Sequence, residues 1–429
     1  MALLLGASLT PAGRVPPQPR SDPTRPTIMR EAIVHSQRQP AASSRTGRLV
    51  AGTPPPRDPT KPSPSREVFG FANAGSLGDP NVGYQSWQFG RLSTVAFFGL
   101  TINGDGTIAH DNNWTTWNSA TNANFIATAH ANGTRVVLSM VLQDFATGMT
   151  MCQGLTKAAT TISQVGPELQ AKGVDGVNVD YESTNVSCGP DMSRGRMTTF
   201  MQQLRAGLRG YLSIDTYASS AADSAGFFDI PGIAPSVDAF FAMSYDLDRS
   251  NSSSAGCGAQ YCLSPVSPTF GYLYNDNRTA HEYSLAVPAS KVILGLPYYG
   301  RKACVASAAP NQVPVSNLST PTYELAATAS TTTGVSNFVT HVDPHDSTEE
   351  YDTFHNATIP CDREQYWENA SSMGSKYALV SSYNLRGAGL FALDYGGPAP
   401  ELWRQLAAYF GGRGGGALPA PTATPPTHR

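Results

Sequence analysis

One run constrains this chain more than any other: Gly173-Val174-Asp175-Gly176-Val177-Asn178-Val179-Asp180-Tyr181-Glu182. Its second half alternates. Val177, Val179 and Tyr181 are apolar and β-favouring, while Asn178, Asp180 and Glu182 are polar. A period of two marks a strand with two different faces. Successive side chains on one face stand about 6.6 Å apart along such a strand. An amide and two carboxyls in a row are costly in a dry core, so they belong in a wet cleft. The carboxyl end of a barrel strand is such a place. Two carboxyls on one face do not readily ionise together, so one keeps its proton toward neutral pH and can serve as a general acid. The plain alternative is an edge strand with a solvated polar face. The apolar partner face and the clustered acids favour a site.

Strand-like and helical segments alternate around this run. Glu67–Asn73, Thr94–Gly99, Arg135–Met140, Tyr211–Tyr217, Ala239–Tyr245, Lys291–Tyr298 and Gly389–Asp394 read as further strands. Thr94–Gly99 is almost wholly apolar, as expected of a parallel strand covered on both faces. Helical spacing occupies Asn122–Ala131, Leu155–Lys172, Met192–Leu208 and Pro400–Phe410, and Gly173 is placed to cap the second of these. Eight strands alternating with helices across residues 67 to 411 are the pattern of an α/β (β/α)8 TIM barrel. A doubly wound open sheet is the alternative, weakened because no Gly-rich phosphate loop follows the first strand.

Residues 1–66 are rich in Pro and Arg without sustained periodicity, and are expected to be disordered or to act as a targeting segment. Met1–Leu9 is a poor signal peptide, lacking a basic start; the acid-poor segment after it also resembles an organelle transit peptide, and a misplaced start is a third reading. Residues 412–429 are expected to be a flexible Gly/Pro-rich tail. The stretch from Lys302 to Ser372 is rich in Thr and Ser, and irregular loops are expected there rather than a compact unit.

Net charge is −3 in a chain only 14% charged, which excludes a nucleic-acid footprint. No apolar run is long enough to span a bilayer. Six cysteines without metal spacing suggest disulfides, with Cys257–Cys262, Cys152–Cys188 and Cys304–Cys361 favoured by chain order. Asn-X-Ser/Thr acceptors stand at Asn113, Asn132, Asn185, Asn251, Asn277, Asn317, Asn356 and Asn369. Together these favour a secreted, glycosylated, disulfide-bonded protein, with a vacuole or organelle lumen as the alternative. His110, His130 and His355 carry no metal spacing, so neither a metal nor any other cofactor is proposed. A monomer is expected.

Asp175-Gly176-Val177-Asn178-Val179-Asp180-Tyr181-Glu182 resembles the strand-four signature of the family 18 glycoside hydrolases, the chitinase family. It departs at Asn178, where that family usually has Asp. Ala242-Met243-Ser244-Tyr245-Asp246 resembles the family's Met-X-Tyr-Asp motif. Gly295-Leu-Pro-Tyr-Tyr-Gly-Arg301 resembles its strand-seven run, and Gly389–Asp394 its strand-eight segment, with Phe391 in place of the usual Trp. Only Ser139 of Ser139-Met-Val-Leu142 matches the usual Ser-X-Gly-Gly.

The resemblance covers residues 67–411 and implies retaining, substrate-assisted hydrolysis of β-1,4-linked N-acetylglucosamine, without an enzyme nucleophile. It makes Glu182 the general acid, Asp180 the holder of the substrate's acetamido N–H, and Tyr245 a donor to the acetamido oxygen. It gives Asp246, Met243, Asn178, Asp175, Phe71, Tyr298, Arg301 and Phe391 as substrate-binding candidates. Asn178 is expected to hydrogen-bond Asp180 without adding charge. Phe71 and Phe391 have a duller reading as barrel filling, and Tyr245 as a core phenol. Trp114 and Trp117 read as a helix face rather than a sugar platform. Asp215 either faces the cleft or pairs with an Arg. Two other functions stay open: a chitinase-like lectin that binds without cutting, and an endo-β-N-acetylglucosaminidase acting on N-glycans.

Overall fold

Eight strands close into a parallel barrel in the computed structural model, which describes residues 27–38, 57–61, 63–251 and 262–411. The first seven in chain order are β1 (Glu67–Asn73), β2 (Thr94–Thr101), β3 (Arg135–Asp144), β4 (Gly176–Ser183), β5 (Tyr211–Tyr217), β6 (Ala239–Met243) and β7 (Val292–Pro297). An insertion then carries β8 (Gly300–Val305), β9 (Ser316–Ser319), β10 (Val335–Val342), β11 (Glu350–Asn356) and β12 (Cys361–Trp367). Finally β13 (Gly387–Phe391) slots between β1 and β7 to complete the ring. The fold is the TIM barrel expected from the alternation.

Each strand sorts its side chains by parity. On β4, Val177, Val179 and Tyr181 join the layer between the strands and the outer helices. Inside, Phe69, Phe71, Phe98, Phe241 and Phe391 form an aromatic lumen core. Phe71 is fully buried, with the rings of Phe69, Phe98, Phe241 and Phe391 at 5.0–5.4 Å. Two glycines make room for this ring cluster. A Cβ on Gly295 or Gly389 would come within 2.3 or 2.0 Å of Phe241.

The insertion corrects one expectation. Residues 300–367 form a five-stranded antiparallel sheet in the order β10-β11-β12-β8-β9. Its interior is largely polar, which hid the strand period. Asp352 accepts from Thr340, Gln365 and Trp367, and Asp343 accepts from Tyr272 and Tyr366. A satisfied polar interior folds as well as an apolar one but shows no apolar alternation. The Cys304–Cys361 disulfide staples β8 to β12, and Cys152–Cys188 joins the segments that follow β3 and β4, both as expected. The Cys257–Cys262 pairing and the 412–429 tail lie outside the described residues.

A second correction concerns the N-terminal stretch. Within residues 1–66, Ile28–Arg38 is a helix, α1. Its Ile28, Met29, Ala32, Ile33 and Ser36 are buried, a helical stripe too short to stand out among the surrounding prolines. The rest of 1–66, apart from residues 57–61 and 63–66, lies outside the described residues. Of the eight Asn-X-Ser/Thr acceptors, Asn113, Asn251 and Asn356 are buried, so glycans there are excluded by the fold, while Asn132 and Asn317 are exposed. Trp114 and Trp117 lie on one short helix, as read from their spacing. Among the described residues no helix is long and apolar enough to cross a membrane.

Candidate active site

Strand register stacks the polar residues of β4 in layers. Asn178 lies opposite Ser139 of β3 and Ser213 of β5, Asp180 opposite Val141, and Glu182 opposite Gln143. The lowest layer is a hydrogen-bonded network across three strands. The Asn178 carbonyl accepts from Ser139 Oγ at 2.9 Å, and its amide donates to Ser213 Oγ at 3.1 Å and Asp215 Oδ1 at 2.8 Å. Asn178 therefore serves Asp215 and not Asp180, against the expectation. Asp215 faces inward, settling its two readings in favour of the lumen.

Asp180 is fully buried, and neither carboxyl oxygen has a hydrogen-bond partner among the described residues. Burial raises its proton affinity well above the usual carboxylate range, and the nearby Glu182 and Asp215 carboxyls raise it further. Asp215 is raised as well, mainly by burial, with the Asn178 amide opposing and Glu182 adding. Glu182 sits at the strand end, where its Oε1 accepts from Gln143 Nε2 at 2.5 Å.

The end of β6 supplies the facing wall. Met243 and Tyr245 are buried in the lumen cluster, and the Tyr245 ring lies 6.1 Å from both Phe391 and Tyr299. The Tyr245 hydroxyl has no partner among the described residues. Burial raises its pKa well above that of an ordinary phenol, and Asp215, Asp180 and Glu182 add to this. Asp246 follows at φ 57°, a left-handed conformation that few non-glycine residues adopt. Its Oδ1 accepts from Tyr299 at 2.8 Å and from the fully buried Arg301. Glu182, Asp180, Tyr245, Asp246, Met243, Arg301 and Phe391 are thus brought together at the carboxyl end of the barrel.

Three candidates are not. Asp175 precedes β4 at the opposite end, where it accepts from the Val136 N–H at 2.8 Å and contacts His130 Nε2 at 3.0 Å. Phe71 is sealed in the lumen core. Tyr298 turns outward to Tyr377, hydroxyl to hydroxyl at 3.1 Å. Strand parity explains the last case: Tyr299, its neighbour, faces the site instead. Gln143 and Tyr299 were missed from the sequence. The register of β3 on β4 was the signal for Gln143, and the alternation through Tyr298-Tyr299 was the signal for Tyr299.

The start of α1 sits directly over these groups. Thr27 Oγ1 donates to Glu182 Oε1 at 3.2 Å, and the Ile28 N–H donates to Asp246 Oδ2 at 3.3 Å. Glu31 Oε2 accepts from Thr320 at 3.0 Å and lies 3.9 Å from Arg301.

A closed parallel barrel with buried acids and a phenol converging at its carboxyl end defines a barrel enzyme of the glycosidase class. Residues 69–396 match the profile of the Glycosyl hydrolases family 18. The chain belongs to that family and is a glycosidase hydrolysing O-glycosyl bonds. Solved structures share the fold. Ostrinia furnacalis Group IV chitinase in complex with allosamidin aligns at TM-score 0.64 and 16% identity, over 80% of this chain and 97% of that one. An immunomodulatory active chitinase from Trichuris suis aligns at 0.60 and 17%, over 77% and 92%. A spore cortex-lytic enzyme from Bacillus cereus aligns at 0.61 and 16%, over 82% and 75%. No curated protein sequence matches this chain.

Proposed function

We propose that the protein hydrolyses β-1,4 bonds of N-acetylglucosamine polymers or oligomers, with retention and with assistance from the substrate's own acetamido group. The observation that carries this is the pair Asp180 and Tyr245, two buried side chains beside Glu182 whose polar atoms have no partner among the described residues. Buried polar atoms are normally satisfied, so an orphaned acid and phenol at one mouth are suited to polar atoms of a ligand. An acetamido group offers the complement, an N–H for Asp180 and a carbonyl oxygen for the Tyr245 hydroxyl.

In this reading burial and the neighbouring carboxyls raise the proton affinities of Asp180 and Asp215 and so oppose full ionisation of the group around Glu182. Glu182 gives a proton to the glycosidic oxygen as that bond breaks. The acetamido oxygen attacks the anomeric carbon and closes an oxazolinium ion, whose N–H and positive charge rest on Asp180. Water then opens this ion and returns its proton to Glu182. Asp246, fixed by Tyr299 and Arg301, binds the distorted sugar. Asn178 tunes Asp215, and Phe391 floors the site with less stacking area than a Trp offers.

The test is incubation of the full chain with chitotetraose, products being read by mass and anomer by NMR. Shorter chitooligosaccharides of β configuration at the cut are expected. Binding without cutting supports the lectin reading, and absence of both turns the assay to N-glycans. The disulfides suit an oxidising compartment, and we place the protein in secretion on that ground.

Tyr245→Phe is expected to lower kcat on the order of 100-fold, by removing the hydrogen bond that holds the acetamido oxygen in line for attack. Its thermal midpoint should not fall, because the lost hydroxyl has no partner to strand. Equal activity in the variant would show the phenol to be plain core.

Asn178→Asp is expected to move the acid limb of the pH–rate profile upward by on the order of one unit. The change removes the donor to Asp215 and adds a further acid, so neighbouring carboxyls bind protons more tightly. Groups that must be ionised then become so only at higher pH. An unchanged profile would sink this reading of Asn178.

A further inference from the structure

We propose that α1 is an autoinhibitory helix that competes with sugar for the cleft, so that the full chain turns over below its capacity until α1 leaves. The inference rests on the glycosidase reading of the same site. Three independent features of the docking support it.

First, α1 uses the site's own groups. Thr27 takes Glu182, the Ile28 N–H takes Asp246, and Glu31 reaches Thr320 and Arg301. The positive end of the helix therefore points at two carboxyls that a sugar would need, a favourable arrangement for a helix N-terminus. Thr27 is also the cap, its Oγ1 accepting from the Arg30 N–H at 3.2 Å.

Second, α1 seals the mouth with apolar surface. Ile28, Met29, Ala32 and Ile33 belong to the same buried cluster as Met243, Tyr245, Tyr299 and Phe391. A sugar needs that aromatic surface open for stacking. Beside the helix there remains a cavity of about 170 Å³, lined in part by Ala32, His35, Asn73 and Tyr395. That falls short of the roughly 300 Å³ at which small-molecule sites begin.

Third, α1 is joined to the barrel as an addition rather than as part of the (β/α)8 repeat. It precedes β1, and its far end lies against outer segments: Ser36 Oγ accepts from the Gly75 N–H, Gln37 Nε2 donates to Asp111, and Asn112 donates to the Gln37 carbonyl. An isolated helix of this length is marginal in water. Covalent attachment supplies an effective concentration in the millimolar range, which holds it in place without high intrinsic affinity.

The test compares the full chain with its Met29→Asp/Ile33→Asp variant, which puts two carboxylates on the buried face of α1. A labelled peptide of residues 27–38 is titrated into both, and chitotetraose turnover is measured in both. The peptide is expected to bind the variant and not the parent, whose site is already filled. Turnover is expected to rise at least tenfold in the variant and to fall again as peptide is added. Circular dichroism melting confirms that the barrel is retained, and a Thr27→Val/Glu31→Gln chain, with smaller changes at the surface of contact, should show a smaller rise. A peptide that does not bind the variant, together with equal turnover in both chains, overturns the autoinhibitory role and leaves the glycosidase reading standing. Peptide binding to the variant alone, with no cutting by either chain, upholds α1 as a removable occupant and overturns the substrate assignment.

Discussion

Glu182→Gln is expected to reduce chitotetraose turnover by about 10²- to 10⁴-fold, the range associated with loss of a positioned general acid. The substitution is nearly isosteric. A glutamine carbonyl can still accept from Gln143 and Thr27, so the fold and the seating of α1 should persist. What disappears is the transferable proton. The loss should therefore depend on the leaving group. A chitobioside of 4-nitrophenol departs readily without protonation and should lose much less rate than chitotetraose. Equal losses on both substrates would move the role of Glu182 from proton donation to simple binding. Asp180→Asn supplies the contrast: under the proposed role on the acetamido side, its loss is expected to be the same for both leaving groups. The measurement is kcat for both substrates with parent and variant chains, and binding of uncut chitotetraose by the variant separates catalysis from recognition.

Lys376→Met is expected to destabilise the protein by about 3–5 kcal/mol at neutral pH, the usual result of breaking a buried ion pair from one side. Lys376 lies on the helix Ala370–Ser382, and its ammonium is fully buried between Glu349, at 2.6 Å, and Glu368. Ser372 and Thr269 complete the acceptors' shells at 2.9 and 2.8 Å. Burial raises the proton affinity of Glu349 most, then the Glu368 charge, with Lys376 opposing; Glu368 is raised chiefly by burial, again against Lys376. Without the ammonium these acids face each other, and folding favours their protonated forms. Their folded pKa values then lie above the ordinary 4.5, so the penalty is absent below that pH and grows as pH rises through the folded values. Urea unfolding at pH 4 and pH 7 should show a small loss at the first and the full loss at the second. A chain carrying Lys376→Met, Glu349→Gln and Glu368→Gln together should recover most of the stability. A pH-independent loss would mean that the methionine simply packs badly.

The barrel was legible because its signals are local. Glu67–Asn73 and Tyr211–Tyr217 were bounded correctly from their β-favouring residues and the turn residues around them. The β4 alternation carried the acids for the same reason: every second residue must face the lumen. Where a role depended on a neighbour in space, the sequence failed. Asn178 was assigned to Asp180, two residues along its own strand, but bonds Ser139, Ser213 and Asp215 on the strands beside it. Tyr298 was chosen over Tyr299 because a motif names residues without saying which way the strand end turns them. The β8–β12 sheet was missed because its interior replaces apolar alternation with hydrogen-bonded Asp, Gln and Thr.

The sequence by itself determined the fold class, the strand that bears the acids, and the two disulfides seen here, all of which follow from short-range periodicity and chain order. Only the tertiary structure decided which polar groups meet. Strand register set the Ser139–Asn178–Ser213 layer, and a buried carboxyl's proton affinity depends on charges from other strands rather than on its own neighbours in the chain. The same holds for α1. Its four buried apolar residues are too few to announce a helix in a Pro-rich stretch, and the aromatic mouth of the barrel supplies the buried area that an isolated segment lacks.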